Sequence, residues 1–358
     1  MKALWLVLFF AGLGCAVSSA QDVKPVDASR AIIQAFDSHS IVMFGEVHAN
    51  KQEYEFLRAL VSSPEFADKV DDIVVEYGNS LYQKAVDRYI AGEDVPIEEV
   101  QKAWRNTMAL GPVSPVYASL YEAVRQVNRQ RPGKHQIRIL LGDPYINWDN
   151  VKSREDVGPY LAHRDEFYAS VVKDEVLAKR HRALLIEGWP HFARPPAGPG
   201  YTEKELRAAG ATTFVIVFGT NAVGGYDDLD KRFDTWKLPA LMLLKGTWVG
   251  DLPAMPVLSG GTELAGPNPV KLNDAADALL YLGRRDTLTA VNMPRADLEA
   301  TPYGREIARR LEILLGQSPN ILSAATETSQ FPPGSGGPPP PLPPPPKSIR
   351  DPLPPRPN

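Results

Sequence analysis

The sequence predicts an α/β fold, a mostly parallel central sheet flanked by helices with the site at the carboxyl ends of the strands. Three observations predict it. Short apolar runs, each closed by glycine or charge, recur as IVMFG (41–45), DIVVEYG (72–78), IRILLG (137–142), ALLIEG (183–188), TFVIVFG (213–219), ALMLLKG (240–246) and DALLYLG (277–283). Their length and their Val, Ile and Leu content suit strands buried on both faces. Helix-like stretches lie between several of them, and strand alternating with helix builds a parallel sheet.

From the amino terminus, Lys2, the apolar stretch ALWLVLFFAGLG and the small residues Ser18-Ser19-Ala20 before Gln21 read as a secretory signal. Residues 1–20 are therefore expected to be removed, and the protein to be exported, periplasmic or secreted. The apolar stretch is short for a membrane span, which needs ~20 residues, and no transmembrane helix is expected in the mature chain. A lipid anchor at Cys15 ranks second, because Gly12 stands where a larger aliphatic residue is usual. Cys15 is the single cysteine, so cleavage after Ala20 leaves no disulfide and no thiol nucleophile.

The strand at 41–45 leads to a helix at 53–61, opened by Asn50-Lys51-Gln52-Glu53 in the pattern of a capping box. Strand 72–78 is followed by helices at 80–92 and 115–130. Strand 137–142 is followed by a helix at 165–181 with Asp165 suited to its N-cap. After strands 183–188 and 213–219 the segments 219–230 and 259–269 read as long loops, with AVGGY (222–226) a flexible turn near the site. A last helix is expected at 301–316. One α/β domain thus spans 21–322, and 323–358 is a disordered proline-rich tail holding 14 of the 34 prolines in 332–358. Its PPPPLPPPP run is polyproline II, a spacer or a ligand for aromatic grooves in an envelope or cell-wall partner. With 44% hydrophobic and 23% charged residues and a net charge of −4, the composition is that of a globular protein and disfavours nucleic-acid binding, which demands clustered positive charge.

Four of the runs end in ionisable groups: Glu46 and His48, Glu76, Asp143, and Glu187 with His191. Ligands of open parallel sheets bind beyond the carboxyl ends of the strands. In extended chain, residues i and i+2 face one side, so Glu46 and His48 can converge. The helix start after His48 would favour an anion and lower the imidazole pKa, suiting a neutral base or ligand. GEVH (45–48) is echoed by GWPH (188–191), two Gly-x-x-His units at strand ends. Glu76 can equally cap the next helix, Asp143 can be a turn former before Pro144, and Glu187 can face away from His191. His39, His135, His163 and His181 sit among polar residues and are assigned to the surface. No Gly-x-Ser-x-Gly, His-Glu-x-x-His, phosphate-binding Gly-x-x-x-x-Gly-Lys or Cys pair for zinc occurs.

GEVHAN after an apolar strand, then VVEYGNSLYQKAVDRYIAG, RDEFYASVV and LLIEGWPH, in that order over about residues 38–195, resemble the superfamily uniting ChaN-type haem-binding lipoproteins, erythromycin esterases and TraB/Tiki proteins. The resemblance implies an α/β domain whose site is built from Glu46, His48, Glu76 and His191, with Arg164 and Asp165 in support. It does not fix a role, since members include metal-independent esterases, metal-dependent peptidases and haem binders. The chain also departs from each branch: Cys15 is poorly framed for lipidation, no apolar run of ~20 follows residue 20, and the larger helical insert usual in erythromycin esterases is not evident.

The leading expectation is an exported hydrolase of an ester, lactone or amide. His48, helped by Glu46 or Glu76, would act as general base on water, and His191 would orient water or an oxyanion. In a metal-assisted version, His48, His191 and Glu76 would hold a divalent ion. The alternative is a haem- or iron-binding protein without turnover, with Tyr77, Tyr145, Trp148, Trp189 and Phe192 as aromatics able to pack on a flat cofactor.

Overall fold

The computed structural model describes residues 24–109, 111–195, 197, 200–219, 231–254, 270–316, 320–324, 328–330 and 352–356. The expected leader, the 222–226 turn, the 259–269 loop and the proline run lie outside the described residues.

The runs of buried aliphatics do form strands: β1 (Val26–Asp27), β2 (Ile41–Glu46), β3 (Asp72–Asn79), β4 (Arg138–Asp143), β5 (Ala183–Gly188), β6 (Thr213–Phe218), β7 (Ala240–Leu243) and β8 (Ala278–Tyr281). They make one eight-stranded sheet in the order β1-β7-β8-β6-β2-β5-β3-β4. Pairings from β6 and β8 through to β4 are parallel, whereas β7 pairs antiparallel with both β8 and the two-residue β1. The sheet is therefore mostly parallel with an antiparallel edge, as expected of an α/β protein. β2 is fully buried along its length and lies between β5 and β6, which places its carboxyl end at the middle of the sheet.

Helices cover both faces. Alternate strand residues Val42, Phe44, Ile73, Val75, Leu184 and Ile186 face the layer formed by α1 (Ala28–Ala35), α2 (Lys51–Val61), α3 (Pro64–Lys69), α4 (Gln83–Ile90), α5 (Ile97–Arg105) and α6 (Ala118–Gln130). Their neighbours Ile41, Met43, Val74 and Leu185 face the other layer, which contains α8 (Arg164–Val172), α9 (Trp189–Phe192) and α10 (Tyr201–Ala208). α7 (Arg154–Ala162) precedes α8. This is the period-two alternation of a sheet buried on both sides.

Three expectations change in detail. The helix foreseen at 165–181 starts at Arg164, has His163 as its N-cap and becomes a wide π turn over Lys173–Leu177. Asp165 is thus inside the first turn, with its carboxylate free to reach another element. Asn50 does cap α2, accepting from the amides of Gln52 (2.9 Å) and Glu53 (3.2 Å). Glu53, however, reaches past the cap to accept from the Val47 amide at 3.0 Å, so no reciprocal capping box forms. Finally, described structure continues past the boundary drawn at 322: β10 (Thr328–Gln330) pairs antiparallel with β9 (Thr289–Val291). Among the described residues no helix is long and apolar enough to cross a membrane.

Candidate functional site

The register sets the site. Glu46 ends β2 directly opposite Gly188 at the end of β5, and Gly45 lies opposite Glu187. The two Gly-x-x-His units therefore lie side by side, and each glycine makes room for the other unit. A Cβ on Gly45 would meet the Cα and Cβ of Trp189 at 3.0 Å. One on Gly188 would meet His48 Cε1 at 3.0 Å and Nε2 at 3.2 Å. After His48 the chain turns sharply, with Ala49 in the left-handed region at φ 65° and its amide donating to the Tyr117 hydroxyl at 3.2 Å.

Three of the expected residues form a carboxylate–imidazole–carboxylate row. His48 Nδ1 lies 2.6 Å from Glu46 Oε1, and its Nε2 is 4.0 Å from Glu76 Oε2. Glu46 is buried, and its second oxygen accepts from the Tyr54 hydroxyl at 2.6 Å. Burial and the neighbouring Glu46 charge push the Tyr54 hydroxyl well above its usual range, so it remains a donor. Glu76 accepts from the Gly188 amide at 2.7 Å and pairs with Arg164 at 3.0 Å. Arg164 also pairs through Nε with Asp143 at 2.7 Å, and Asp143 accepts from the Met108 amide at 2.6 Å. Arg164 and Asp143 thus have defined parts. The arginine links the ends of β3 and β4, and Asp143 grips it rather than merely forming a turn.

The charges decide the protonation states. Burial opposes charge on Glu76, yet Arg164, the two histidines and the Gly188 amide bring its pKa down to about 2. Burial works to lower the His48 pKa, but Glu76 and the Glu46 hydrogen bond outweigh it, leaving the imidazole above its ordinary value. This reverses the expectation that the helix start would lower it: two carboxylates within reach act more strongly than the partial charge of a helix end. The ring itself is 46% exposed, toward a cavity of about 490 Å³ whose wall includes His48, Glu76, Tyr77, Ser114, Arg164 and Asn292.

His191 is brought to the same edge but into a second group. Its Nδ1 lies 2.8 Å from Asp165 Oδ1 and 3.7 Å from Glu187 Oε1. The Asp165 contact is a close ion pair off the hydrogen-bond direction, for among the described residues neither His191 Nδ1 nor the buried Glu187 Oε2 has a hydrogen-bond partner. Burial opposes charge on the ring, but Asp165 and the nearby glutamates raise His191 to about 9. Burial likewise pushes Glu187 up to about 8, with Glu76 and Asp165 adding to it against the pull of His191. Glu187 therefore faces His191, against the alternative that it points away. His191 is not among the residues lining the cavity, so it does not present a side chain to a ligand there.

The ligand set His48, His191 and Glu76 is not gathered round one point. Among the described residues the groups with ligand atoms within 4.8 Å of one another are Glu46, His48 and Glu76, and Asp165, Glu187 and His191. In the first group Glu46 takes Nδ1 and Glu76 faces Nε2, ring nitrogens that point apart. Glu76 is already paired with Arg164. Catalytic zinc ordinarily has three protein ligands; each group offers three donors, but those of the first are already engaged by one another, by Tyr54 and by Arg164. The aromatics proposed for a flat cofactor also scatter: Phe192 and Trp148 are buried in two different clusters and Trp189 packs against the first of these. Tyr77 does line the cavity, with its ring stacked on Tyr117 at 3.9 Å.

Tyr54, Tyr117, Ser114 and Asn292 were not legible as site residues. Tyr54 alone left a trace, one helical turn after Asn50 on the buried face of α2. The other four histidines lie elsewhere: His181 pairs with Asp72 at 2.7 Å, His135 with Asp71 at 3.1 Å, His163 with Glu166 at 2.7 Å, and His39 contacts the Ala35 carbonyl at 2.9 Å.

No protein-family profile and no curated protein matches the chain. Solved structures similar to it include the type III effector HopBA1, at 11% identity and a TM-score of 0.43 over 74% of this chain and 98% of that one. A Bacillus cereus protein is similar at 11% identity and a TM-score of 0.46, over 73% and 95% of the two chains. ChaN of Campylobacter jejuni, described as binding haem cofacially, is similar at 12% identity and a TM-score of 0.36, over 55% and 87%. What this chain does must be read from its own site.

Proposed function

We propose that the protein is an exported hydrolase in which His48 is the general base on a water that attacks an ester, lactone or amide carbonyl. The observation that carries this reading is the His48 ring, fixed through Nδ1 by Glu46 at 2.6 Å and presenting Nε2 to the cavity 4.0 Å from Glu76. A water about 2.8 Å from both Nε2 and Glu76 fits that separation. Glu46 holds the tautomer with its proton on Nδ1 and stabilises the imidazolium formed when Nε2 takes a second proton. Arg164, on the cavity wall and anchored by Asp143, is the cation toward which a developing oxyanion would be drawn. The role first given to His191 passes to it. His191 instead steadies the end of β5 through Asp165 and Glu187. The proposed mechanism needs no metal-bound water, because Glu46 and Glu76 are already engaged by Tyr54 and Arg164.

The test is hydrolysis of p-nitrophenyl esters and simple lactones between pH 5 and 9. Only neutral imidazole accepts the proton, so kcat/KM rises with pH through a value above 6.5, the direction in which His48 is displaced. Glu46→Gln removes a nearby negative charge, moving that limb to lower pH, and slows the reaction roughly 10²–10⁴-fold. A rate that is unchanged in His48→Ala, or a limb that stays in place in Glu46→Gln, would sink the proposal.

A further inference from the structure

The proline-rich carboxyl terminus was expected to be a spacer, or else a ligand for aromatic grooves on some other molecule. The structure shows such a contact within the chain. The Tyr145 hydroxyl donates to the Pro354 carbonyl at 2.7 Å. Arg356 donates to the Ser80 carbonyl at 3.0 Å, with its guanidinium 5.8 Å from the centre of the Tyr145 ring. Tyr145 is itself walled by two edge-on aromatics, Tyr160 at 6.2 Å and Phe167 at 5.4 Å.

We propose that the ends of β3 and β4 carry a recognition groove for an arginine-terminated proline segment, and that the chain's own residues 352–356 are its occupant. The chemistry is specific in three ways. A proline-rich backbone is held extended before it binds, so little conformational entropy is lost on docking, and its carbonyls have no internal donors to satisfy them. A tyrosine hydroxyl supplies such a donor, while perpendicular rings offer flat apolar walls, which is how aromatic grooves read polyproline. Arg356 fixes the direction of the segment, because its guanidinium has both a backbone acceptor and the face of the Tyr145 ring. Tethering keeps the segment at an effective concentration on the order of mM, so a few contacts suffice.

The location gives the groove a consequence. Ser80 directly follows β3, which carries Glu76, and Tyr145 stands two residues past Asp143 at the end of β4. Glu76 and Asp143 are the two carboxylates that hold Arg164. The docked segment therefore ties together the two strand ends on which the Arg164 pairing depends. This holds whatever reaction, if any, the cavity performs.

The experiment uses the full chain with Cys15→Ser and a nitroxide on Pro355→Cys, an exposed position within the segment. Paramagnetic broadening is read from amide NMR signals, whose dispersion reports folding at the same time. Signals of Ser80, Leu81 and Tyr145 are expected to be at least halved relative to the reduced label. Adding Tyr145→Phe and Arg356→Ala together should restore them. Broadening at these amides no greater than at Leu243 in β7, toward the opposite side of the sheet, or broadening untouched by the two substitutions, overturns the proposal. So does broadening seen only in an equal mixture of spin-labelled and isotope-labelled chains, which would make a second copy the occupant.

Discussion

Gly188→Ala tests the interlock of the two Gly-x-x-His units most directly. Gly188 has φ −51° and ψ 134°, a conformation open to any residue, so alanine meets no backbone strain there. What it meets is His48. The new Cβ would lie 3.0 Å from Cε1 and 3.2 Å from Nε2, and 3.5 Å from Glu76 Oε2. Comfortable carbon contacts are about 3.5–4.0 Å, so the ring must retreat by roughly half an ångström. It is held by Glu46 at 2.6 Å and has the edge of Tyr77 against it at 5.2 Å, so retreat stretches a charged hydrogen bond. The expected cost is about 1–3 kcal/mol, that of an overpacked core site. The methyl also fills the space between Nε2 and Glu76, so hydrolysis should fall more than stability does. The assay is urea denaturation of the wild type, Gly188→Ala, His48→Ala and the double variant. With the imidazole gone, Gly188→Ala should cost under about 0.5 kcal/mol, a coupling of roughly 1–2 kcal/mol between the positions. An equal cost with and without the ring would refute the claim that Gly188 exists to admit His48.

Arg164→Met removes the partner of two buried carboxylates and should destabilise the fold by about 3–5 kcal/mol at pH 7 in urea denaturation. Adding Asp143→Asn should recover part of that loss, and a single-variant loss below ~1 kcal/mol would count against a pairing role. Glu187→Gln bears on pH dependence. Burial pushes the folded carboxyl up to about 8 from its ordinary 4.5, so its stabilising effect is whole below 4.5 and lost as pH rises through 8. His191, raised to about 9, adds a similar loss from 6.5 upward. The Tm of the wild type should therefore fall between pH 5 and 9, and that of Glu187→Gln should fall less. Parallel curves would show that Glu187 is not protonated in the folded state.

Much of this was legible in particular residues. Runs such as IVMFG and ALLIEG have one reading, because a segment apolar on both faces and too short for a buried helix must be a covered strand. Glu46, His48, Glu76 and Asp143 were legible because each ends such a run, and parallel strands deliver their ends to one edge. Asp165 was legible as a helix-start carboxylate, but its contact with His191 was not, since that depends on how α8 lies against α9. Tyr54 and Tyr117 look like ordinary core aromatics, and only packing shows that one hydroxyl serves Glu46 and the other the Ala49 amide.

The sequence by itself determined the strands, their mostly parallel arrangement and the edge at which acid and base collect, since burial pattern and chain order are local properties. Only the tertiary structure decided how those groups pair. Strand order set β5 beside β2, and the register then put Gly188 against His48 and sent His191 to Asp165 and Glu187 instead of to a shared metal. It also decided that His48 binds its proton more tightly, because a pKa follows from charges brought within a few ångströms across the fold, and sequence spacing does not encode those distances.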